Sequence, residues 1–449
     1  MFYRDIINEL VAWSNKANRK PLVLRGARQV GKTTCVNLFS QSFEQYIYLN
    51  LELSEDRALF QQDYNISEFL EALFFLKNKQ KNLQKTLIFI DEIQAEPKAV
   101  AMLRYLYEQA PEYYVIAAGS LLESVLDKKI SFPVGRIEYL RLYPVSFKEF
   151  LYAMGEQQAI TLLEQIPCPA FAHDKLLKLF HKYTLIGGMP EIIQHYAVHR
   201  DLTSLSSLYE SLLVAYLDDV EKYANNEKHS RVIRHIIQTA FHFAGERIKM
   251  VGFGNSNYPS REISEAMQLL EKSFMLQRIY PTTATELPLI PDLKKSPRLQ
   301  LLDTGLVNYF SGIQQEIFGT KDLNILYKGR ITEHIVGQEI QAQSHLLLNK
   351  LFFWVRQKNQ SNAEVDFVIQ QGNKIIPIEV KSGATGRLRS LHQFVERTNH
   401  PFAVRLYAGK LTKEKAKTIA GIEFQLLNLP YYLAGELDQY LEWFIASEL

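Results

Sequence analysis

The sequence predicts an α/β fold class in which a parallel sheet core opens the chain, a helical region follows, and a second α/β domain ends it. Three observations support this prediction. Apolar runs alternate with helix-like stretches in residues 20–120, a glycine-rich loop joins the first run to a helix, and two late apolar runs carry spaced acidic residues. Strands that alternate with helices indicate a parallel sheet, whose carboxyl edge gathers ligand-binding loops.

The composition is that of an ordinary globular chain. A length of 449 residues suffices for about three domains, with 47% hydrophobic and 22% charged residues. The net charge of +2 gives no bulk attraction to nucleic acid, so any basic surface is local. Cys35 and Cys168 are too few for a disulfide framework or a zinc site. No apolar run approaches the ~18 residues of a membrane helix, so we expect a cytoplasmic protein that does not enter a membrane.

The stretch "LRGARQVGKTT", residues 24–34, has the spacing G-x-x-x-x-G-K-[ST] between a strand-like and a helix-like segment. In this pattern the glycines let backbone N–H groups form an anion cradle, the lysine reaches the β- and γ-phosphates, and the threonine holds Mg²⁺. A glycine-bounded turn before a helix is the alternative. We predict that ATP and Mg²⁺ bind here, with contacts from the whole loop: Gly26, Ala27, Arg28, Gln29, Val30, Gly31, Lys32, Thr33 and Thr34.

Two further strand-like runs end in polar residues. "TLIFIDEI" ends in Asp91 and Glu92. Downstream of such a loop, Asp91 is expected to hold the Mg²⁺ shell with Thr33, and Glu92 to orient or deprotonate the attacking water. A solvated strand end is the alternative. "YYVIAAGS" ends at Ser120, which is placed to sense the γ-phosphate or to cap the next helix, and it can do both.

The segments "GARQVGKTT", "LIFIDEIQ", "AAGS", "VGRIEYLRLYPVSFKEF" and "GGMPE" follow one another in this order. Over nearly its whole length the chain resembles a prokaryotic branch of AAA-type ATPases that carries a C-terminal domain of unknown function with a nuclease-like core. The resemblance implies an ATPase core whose fourth strand is the sensor strand. It makes Arg136 a candidate γ-phosphate arginine that could reach a neighbouring subunit of a homo-oligomer; a surface charge is the alternative. It places "GGMPE", residues 187–191, in a lid near the nucleotide.

The middle of the chain is predicted to be helical and then to form a winged helix. A helical lid is expected over 146–225. Beyond it, two helices and a β-wing over 226–325 are typical of a DNA-reading module, although the same architecture serves as a protein-docking module. Lys294, Lys295 and Arg298 are the expected phosphate contacts on DNA, with a solvated loop as the alternative.

The last region places acidic residues on one helix and two strands. Glu333 lies on a helix-like stretch, Asp366 on one strand, and Glu379 and Lys381 two residues apart on the next, where they share a face. This E…D…ExK pattern resembles the core of the PD-(D/E)xK nucleases, in which carboxylates hold a divalent metal and the lysine positions water. Two carboxylates ~4 Å apart repel by about 4 kcal/mol at an effective dielectric of 20, so the cluster requires a cation. Asp366 and Glu379 are the predicted ligands of Mg²⁺ or Mn²⁺, and ion-paired strands are the alternative.

The predicted fold is therefore a P-loop NTPase core of AAA type (1–145), a helical lid (146–225), a winged-helix domain (226–325) and a PD-(D/E)xK nuclease-like α/β domain (326–449). The leading hypothesis is an ATP-hydrolysing enzyme that acts on DNA, with four predicted catalytic residues in the first domain and four in the last: Lys32, Glu92, Ser120, Arg136, Glu333, Asp366, Glu379 and Lys381. The alternative is a regulatory ATPase switch whose C-terminal domain binds protein or DNA without cleavage. A static nucleotide-holding scaffold would leave Glu92 idle.

Overall fold

The structure is a computed structural model that describes residues 2–81, 83, 85–119, 135–224, 226–312, 329–357, 363–383 and 388–447. The predicted sensor Ser120 lies outside these residues. None of the described helices is long and apolar enough to cross a membrane.

The first sheet consists of five described strands, all parallel. In chain order they are β1 (Leu22–Arg25), β2 (Gln45–Asn50), β3 (Thr86–Asp91), β4 (Tyr114–Gly119) and β5 (Glu138–Arg141). Their spatial order is β2-β3-β4-β1-β5. The predicted parallel sheet is thus confirmed, and β4 lies between the strand that enters the glycine loop and the strand that ends in Asp91.

Helices cover this sheet on both faces. They are α1 (Ile6–Ser14), α2 (Lys32–Phe39), α3 (Ser54–Gln61), α4 (Ile66–Leu76) and α5 (Pro97–Gln109). Local sequence explains where two of them begin: Asn65 and Glu68 form a capping box at α4, and Pro97 occupies the first turn of α5. Every residue of β1 and β3 is buried, because helices cover both faces of the sheet. Both strands are accordingly apolar except at their ends.

The following region is helical, as predicted. It contains α6 (Phe147–Met154), α7 (Gln157–Leu163), α8 (His173–Ile186), α9 (Pro190–His199) and α10 (Ser206–Tyr223). Ser146 and Glu149 form a capping box at the start of α6, and Gly155 ends that helix with a φ of 75°. We call α8 to α10 and their connections the lid.

Two helices and a two-stranded ribbon come next. The helices are α11 (Glu227–Ala240) and α12 (Ser260–Lys272), and the antiparallel ribbon pairs β6 (Leu276–Ile279) with β8 (Arg298–Leu301). Ser260 is the first residue of α12, after Pro259 at the N-cap position, and this end of the helix has no side-chain cap hydrogen bond. Between the ribbon strands, β7 (Pro281–Thr282) leaves the ribbon for the C-terminal sheet.

The C-terminal sheet contains seven described strands in the order β13-β14-β12-β11-β10-β9-β7. They are β7 together with β9 (Phe352–Val355), β10 (Glu364–Gln371), β11 (Lys374–Val380), β12 (Phe402–Tyr407), β13 (Thr412–Lys417) and β14 (Glu423–Pro430). The described helices of this half are α13 (Thr304–Phe310), α14 (Gly329–Ala342), α15 (Arg389–Val395) and α16 (Leu437–Ala446). β10 and β11 are neighbours in this sheet and pair antiparallel.

One apolar core joins the lid to the C-terminal sheet. A continuous cluster of buried side chains extends from Phe147 and Tyr183 through Ile236 to Phe367 and Phe444. The first sheet instead has a separate core on each face. The lid is therefore packed more extensively against the C-terminal half of the chain than against the sheet whose ligand it would cover.

Candidate functional site

The glycine loop between β1 and α2 has the backbone of a phosphate cradle. A Cβ atom at Gly26 would lie 2.4 Å from the carbonyl oxygen of Leu142, so only glycine fits there. Gly31 has a φ of 95° directly before α2, and Gln29 holds a φ of 61°, which is uncommon outside glycine. Ala27 and Val30 have side chains buried in the core. These two residues can therefore offer a phosphate only their backbone groups.

Three side chains of the predicted site meet at this loop. The Lys32 ammonium donates hydrogen bonds to the carbonyl oxygens of Gly26 (3.1 Å) and Ala27 (2.8 Å), and burial lowers its pKa to about 8. The Thr33 hydroxyl donates to Asp91 Oδ2 at 2.7 Å. Hydroxyl and carboxylate oxygens are ligands that Mg²⁺ prefers, so Thr33 and Asp91 fit the predicted metal-holding pair.

Glu92 follows β3 and lies beside Lys32. Its backbone is left-handed (φ 51°), and its carboxylate accepts a hydrogen bond from the side-chain amide of Gln94. Burial raises the pKa of Glu92. The carboxylate thus lines the same cavity as Lys32 and Thr33, where a water-orienting group is required.

The cavity over the loop has a volume of about 700 Å³, which is in the range of small-molecule sites. Its floor is made by the loop and α2, including Arg28, Gln29 and Thr34. Two helices of the lid also line the cavity: α10 contributes Ala215 and Tyr216, and α9 contributes Pro190, Glu191, Gln194, His195, Val198 and His199. The "GGMPE" segment therefore lies at the predicted nucleotide site.

Arg4 is a buried residue of this site that sequence reasoning missed. Its guanidinium donates to the carbonyl oxygens of Val30 (3.0 Å) and Tyr143 (2.7 Å), and Nε lies 3.0 Å from Glu149 Oε2. Arg4 therefore ties the phosphate loop to the start of α6. No local motif could have indicated this, because its partners are up to 145 residues away in the chain.

The lid also contacts the phosphate loop directly. Asp219 of α10 forms an ion pair with Arg28, and the Tyr216 hydroxyl donates to the carbonyl oxygen of Arg28 at 3.2 Å. The loop is thus held from both sides, by Arg4 and by α10.

Arg136, by contrast, does not line the cavity. It precedes β5 and so lies at the amino ends of the parallel strands, whereas the phosphate loop follows the carboxyl end of β1. Its Nε lies 3.1 Å from Glu108 Oε1, and the side chain is 45% exposed. Within one chain Arg136 is therefore remote from the nucleotide cavity, and its predicted action across a subunit interface stays a prediction.

Glu333, Asp366 and Glu379 lie on the predicted elements, whereas Lys381 lies one residue beyond the end of β11, and the four side chains are close together. Lys381 Nζ lies 2.6 Å from Glu379 Oε1, and Asp366 Oδ2 accepts a hydrogen bond from the backbone N–H of Val380 at 2.8 Å. Glu333 of α14 is near enough to Asp366 for the two charges to interact. These acids, together with Glu364 of β10, are called the carboxylate cluster below.

The prediction that Arg298 contacts DNA phosphates is wrong in this structure. Its side chain is only 8% exposed and extends from β8 into the carboxylate cluster. Guanidinium nitrogens lie 3.4 Å from Glu333 Oε2 and 3.5 Å from Asp366 Oδ1, and a third contact is the ion pair with Glu364. The physical reason is that a buried group of acids requires a cation, and β8 supplies one from the chain itself. Of the other predicted phosphate contacts, Lys294 is exposed and Lys295 half-buried.

Burial dominates the electrostatics of the cluster. It raises the pKa of Glu333 and of Glu379 to about 8, and it raises the pKa of Asp366, which Arg298 and the Val380 N–H counteract. Among the described residues, no three acidic, histidine or cysteine side chains are arranged as a metal site. The predicted ligands Asp366 and Glu379 are thus neighbours, but the guanidinium of Arg298 lies among the acids of the cluster.

A buried polar network connects the lid to α14. Asp303, at the start of α13, accepts a hydrogen bond from the backbone N–H of Gly188, directly before the cavity wall. Gln338 of α14 donates to the Tyr183 hydroxyl oxygen at 3.1 Å. The next residue, Glu339, accepts from the backbone N–H of Phe147 at 3.1 Å. The same helix therefore carries Glu333 in the carboxylate cluster and two residues bonded to the lid region.

Comparisons with known proteins find family matches for three parts of the chain. Residues 18–151 match a family described as an AAA domain, residues 177–317 a domain of unknown function (DUF8612), and residues 328–432 a second domain of unknown function (DUF4143). An uncharacterized protein of Haemophilus influenzae is 23% identical over 376 residues, which cover 80% of this chain and 81% of the relative.

Solved structures resemble the chain only distantly. A Walker-type ATPase of Pyrococcus abyssi has a TM-score of 0.45 at 13% identity, covering 69% of this chain and 96% of that one. The RuvB Holliday junction branch migration motor of Thermotoga maritima has a TM-score of 0.27 at 15% identity, covering 62% and 90%. Both scores lie below 0.5, and neither bears on function. From the family match and the parallel sheet, the first domain is an AAA-type ATPase domain with a P-loop NTPase-like fold, followed by two regions that match domains of unknown function.

Proposed function

We propose that this chain hydrolyses ATP in its first domain in order to act on DNA through its C-terminal half. The observation that carries the proposal is the 2.7 Å hydrogen bond between Thr33 and Asp91 beside Glu92, in a cavity of about 700 Å³. A hydroxyl, a carboxylate and a second carboxylate at one phosphate loop are the groups that ATP hydrolysis requires.

Each residue then has a separate task. Lys32 would leave its loop carbonyls and bind the β- and γ-phosphates. Thr33 and Asp91 would hold Mg²⁺, which would offset the negative charge of the phosphates. Glu92 orients the attacking water and accepts its proton. Gln94 positions the Glu92 carboxylate through its amide hydrogen bond. The α9 wall excludes bulk water from the reacting phosphate.

Three features support action on DNA. Exposed Lys294 lies in the connection between β7 and β8, next to the C-terminal sheet. The two helices and ribbon of 227–301 have the order expected of a winged helix. Asp366 and Glu379 lie on paired strands, Lys381 directly follows the second of them, and Glu333 lies on the helix before them, an arrangement that suits metal-dependent nuclease chemistry. In that chemistry Asp366 and Glu379 would hold the cation, and Lys381 would orient water.

The test is the rate of ATP hydrolysis in Mg²⁺ with and without linear, branched and single-stranded DNA. We expect at least one DNA form to raise the rate of the wild type. Glu92→Gln should bind ATP but turn it over very slowly, and Asp366→Asn should keep the wild-type ATPase rate because it lies in another domain. An ATPase that neither responds to DNA nor binds it would refute the DNA part of the proposal and leave the hydrolytic part intact.

The second candidate is a regulatory ATPase switch whose C-terminal domain does not cleave. The position of Arg298 among the acids favours it, because a cation already balances the cluster. Incubation of the three DNA forms with Mg²⁺ or Mn²⁺, with and without ATP, distinguishes the two candidates. Metal-dependent products that Asp366→Asn abolishes would support the nuclease, and intact DNA under all conditions would support the switch.

A further inference from the structure

Arg298, unlike the other cation at the carboxylate cluster, Lys381, belongs to a different structural unit from the acids. Glu333, Asp366 and Glu379 lie on α14, β10 and β11, whereas Arg298 lies on β8 of the two-stranded ribbon. Its guanidinium reaches within 3.5 Å of both Glu333 and Asp366, and its carbon Cζ lies 4.9 Å from the centre of the Phe353 ring. The ribbon thus inserts a positive charge into the place where the acids converge.

A buried oxygen of the cluster has no hydrogen-bond partner among the described residues. Glu379 is 6% exposed, and in the described part of the chain no donor reaches its Oε2, although Oε1 is paired with Lys381. The Val380 N–H holds Asp366 Oδ2, while Oδ1 lies near Arg298. A buried carboxylate oxygen without a donor is costly, and it is the group that a metal ion would satisfy. The cluster therefore retains ligand capacity beyond what Arg298 and Lys381 use.

We propose that Arg298 is an internal cation that closes the carboxylate cluster to divalent metal ions, and that metal enters only when Arg298 withdraws. The inference rests on the proposed metal site at Asp366 and Glu379. A guanidinium and a divalent ion cannot both occupy the space among the same acids, because like charges at such separations repel strongly in a buried site. The two cations therefore compete for one set of oxygens.

Arg247 provides a matched comparison for this role. It comes from the same side of the cluster, it pairs with Glu364 at 3.4 Å, and its side chain is 38% exposed. Unlike Arg298, it forms no ion pair with Glu333 or Asp366 among the described residues. Replacing Arg247 removes a rim charge and leaves the blocking group in place.

The experiment measures Mn²⁺ binding by electron paramagnetic resonance, and thermal unfolding with and without Mn²⁺, using full-length protein free of nucleotide. Arg298→Met should bind Mn²⁺ at least about tenfold more tightly than the wild type, since apparent affinity falls with the fraction of molecules whose site is open. Mn²⁺ should raise the melting temperature of Arg298→Met only. Arg247→Met should match the wild type. Adding Asp366→Asn to Arg298→Met should abolish the gain.

Two results would overturn the inference and can be told apart. Equal Mn²⁺ affinity in wild type and Arg298→Met would show that Arg298 blocks nothing, although the metal site would stand. No Mn²⁺ binding by either protein would refute the metal site together with the inference. If Arg298→Met does not fold, Glu364→Gln removes one acceptor of the guanidinium. It should then bind Mn²⁺ more tightly than the wild type, and equal affinity would again overturn the inference.

Discussion

The proton count around Tyr183 indicates that Glu339 is neutral in the folded protein. The Tyr183 hydroxyl oxygen lies 2.8 Å from the carbonyl oxygen of Val145 and 2.6 Å from Glu339 Oε1, and Gln338 donates to it. One hydroxyl proton cannot serve two acceptors. If Glu339 carries a proton, its O–H donates to Tyr183, Tyr183 donates to Val145, and every short contact is a hydrogen bond. Complete burial, which raises the pKa of Glu339 to about 8, agrees with this arrangement.

Glu339→Gln is therefore expected to be a mild change. Its amide can donate to Tyr183, and its carbonyl oxygen can accept from the Phe147 N–H, which now lies 3.1–3.2 Å from the two carboxyl oxygens. At pH 5.5 we expect a change in the free energy of unfolding of about 1 kcal/mol or less. Glu339→Ala leaves the Phe147 N–H without its acceptor and opens a cavity beside Tyr183, so it should cost about 2–5 kcal/mol.

The pH dependence gives the sharper prediction. Because the pKa of Glu339 is raised on folding, the folded chain keeps a proton that the unfolded chain releases above its ordinary carboxyl pKa of 4.5. The resulting stability is fully present below that value and is lost as the pH rises towards about 8. The free energy of unfolding of the wild type should fall with a slope that approaches about 1.4 kcal/mol per pH unit. The stability of Glu339→Gln relative to the wild type should therefore rise by up to about 3 kcal/mol between pH 5.5 and 7.5.

Calorimetric melting of wild type and Glu339→Gln at several pH values measures this difference. The charged groups that face Glu339, namely Glu149 and Glu436, are the same in both proteins and cancel in the comparison. Glu210→Gln, at an exposed glutamate of α10, is the matched control and should run parallel to the wild type. If the stability of Glu339→Gln also followed that of the wild type at every pH, the conclusion that Glu339 is neutral in the folded protein would be refuted.

Three further predictions concern the nucleotide site. Lys32→Ala should lose ATP binding in a fluorescent-nucleotide titration, because the charge on the β- and γ-phosphates is removed; unchanged affinity would contradict the site. Gly187→Ala should lower the stability by about 1–3 kcal/mol, measured by thermal melting. Its Cβ would lie 2.3 Å from Asp303 Oδ1 at a φ of 78°. Arg136→Ala mixed with Glu92→Gln should recover some ATPase activity if Arg136 acts across subunits, and light scattering that shows no oligomer with an ATP analogue would exclude that role.

The sequence predicted those parts of the fold and site that depend on neighbouring residues. The phosphate loop is recognisable because Gly26, Gly31, Lys32 and Thr33 lie within eight positions of the chain. Asp91 and Glu92 follow a buried strand, and parallel strands end at one edge, so their proximity to the loop was predictable. The same reasoning predicted that Glu379 and Lys381 share one face of a strand; their side chains do meet, although Lys381 lies one residue beyond the end of β11.

Partners chosen across long stretches of chain were not predictable. The basic stretch "KKSPR" before a strand predicts that Arg298 contacts DNA phosphates, yet its acidic partners lie 35–68 positions further on. A signal was present: Arg298 and Gln300 alternate with Leu299 and Leu301, so both polar residues share one face of a strand that is buried throughout. Glu339 carried no signal at all, since its partner Tyr183 is 156 positions away.

The short strand β7 limits where the chain can be divided. It pairs in parallel with β9 through Pro281 and Thr282, and the Trp354 indole donates to the carbonyl oxygen of Thr283 at 3.3 Å. A C-terminal fragment that begins at residue 328, where the third family match starts, would lack this cover. β9 would then become a bare edge carrying large aromatic side chains, which invites edge-to-edge aggregation. The border drawn by sequence similarity is thus not a border at which the polypeptide can be cut, and a soluble fragment should begin before residue 281.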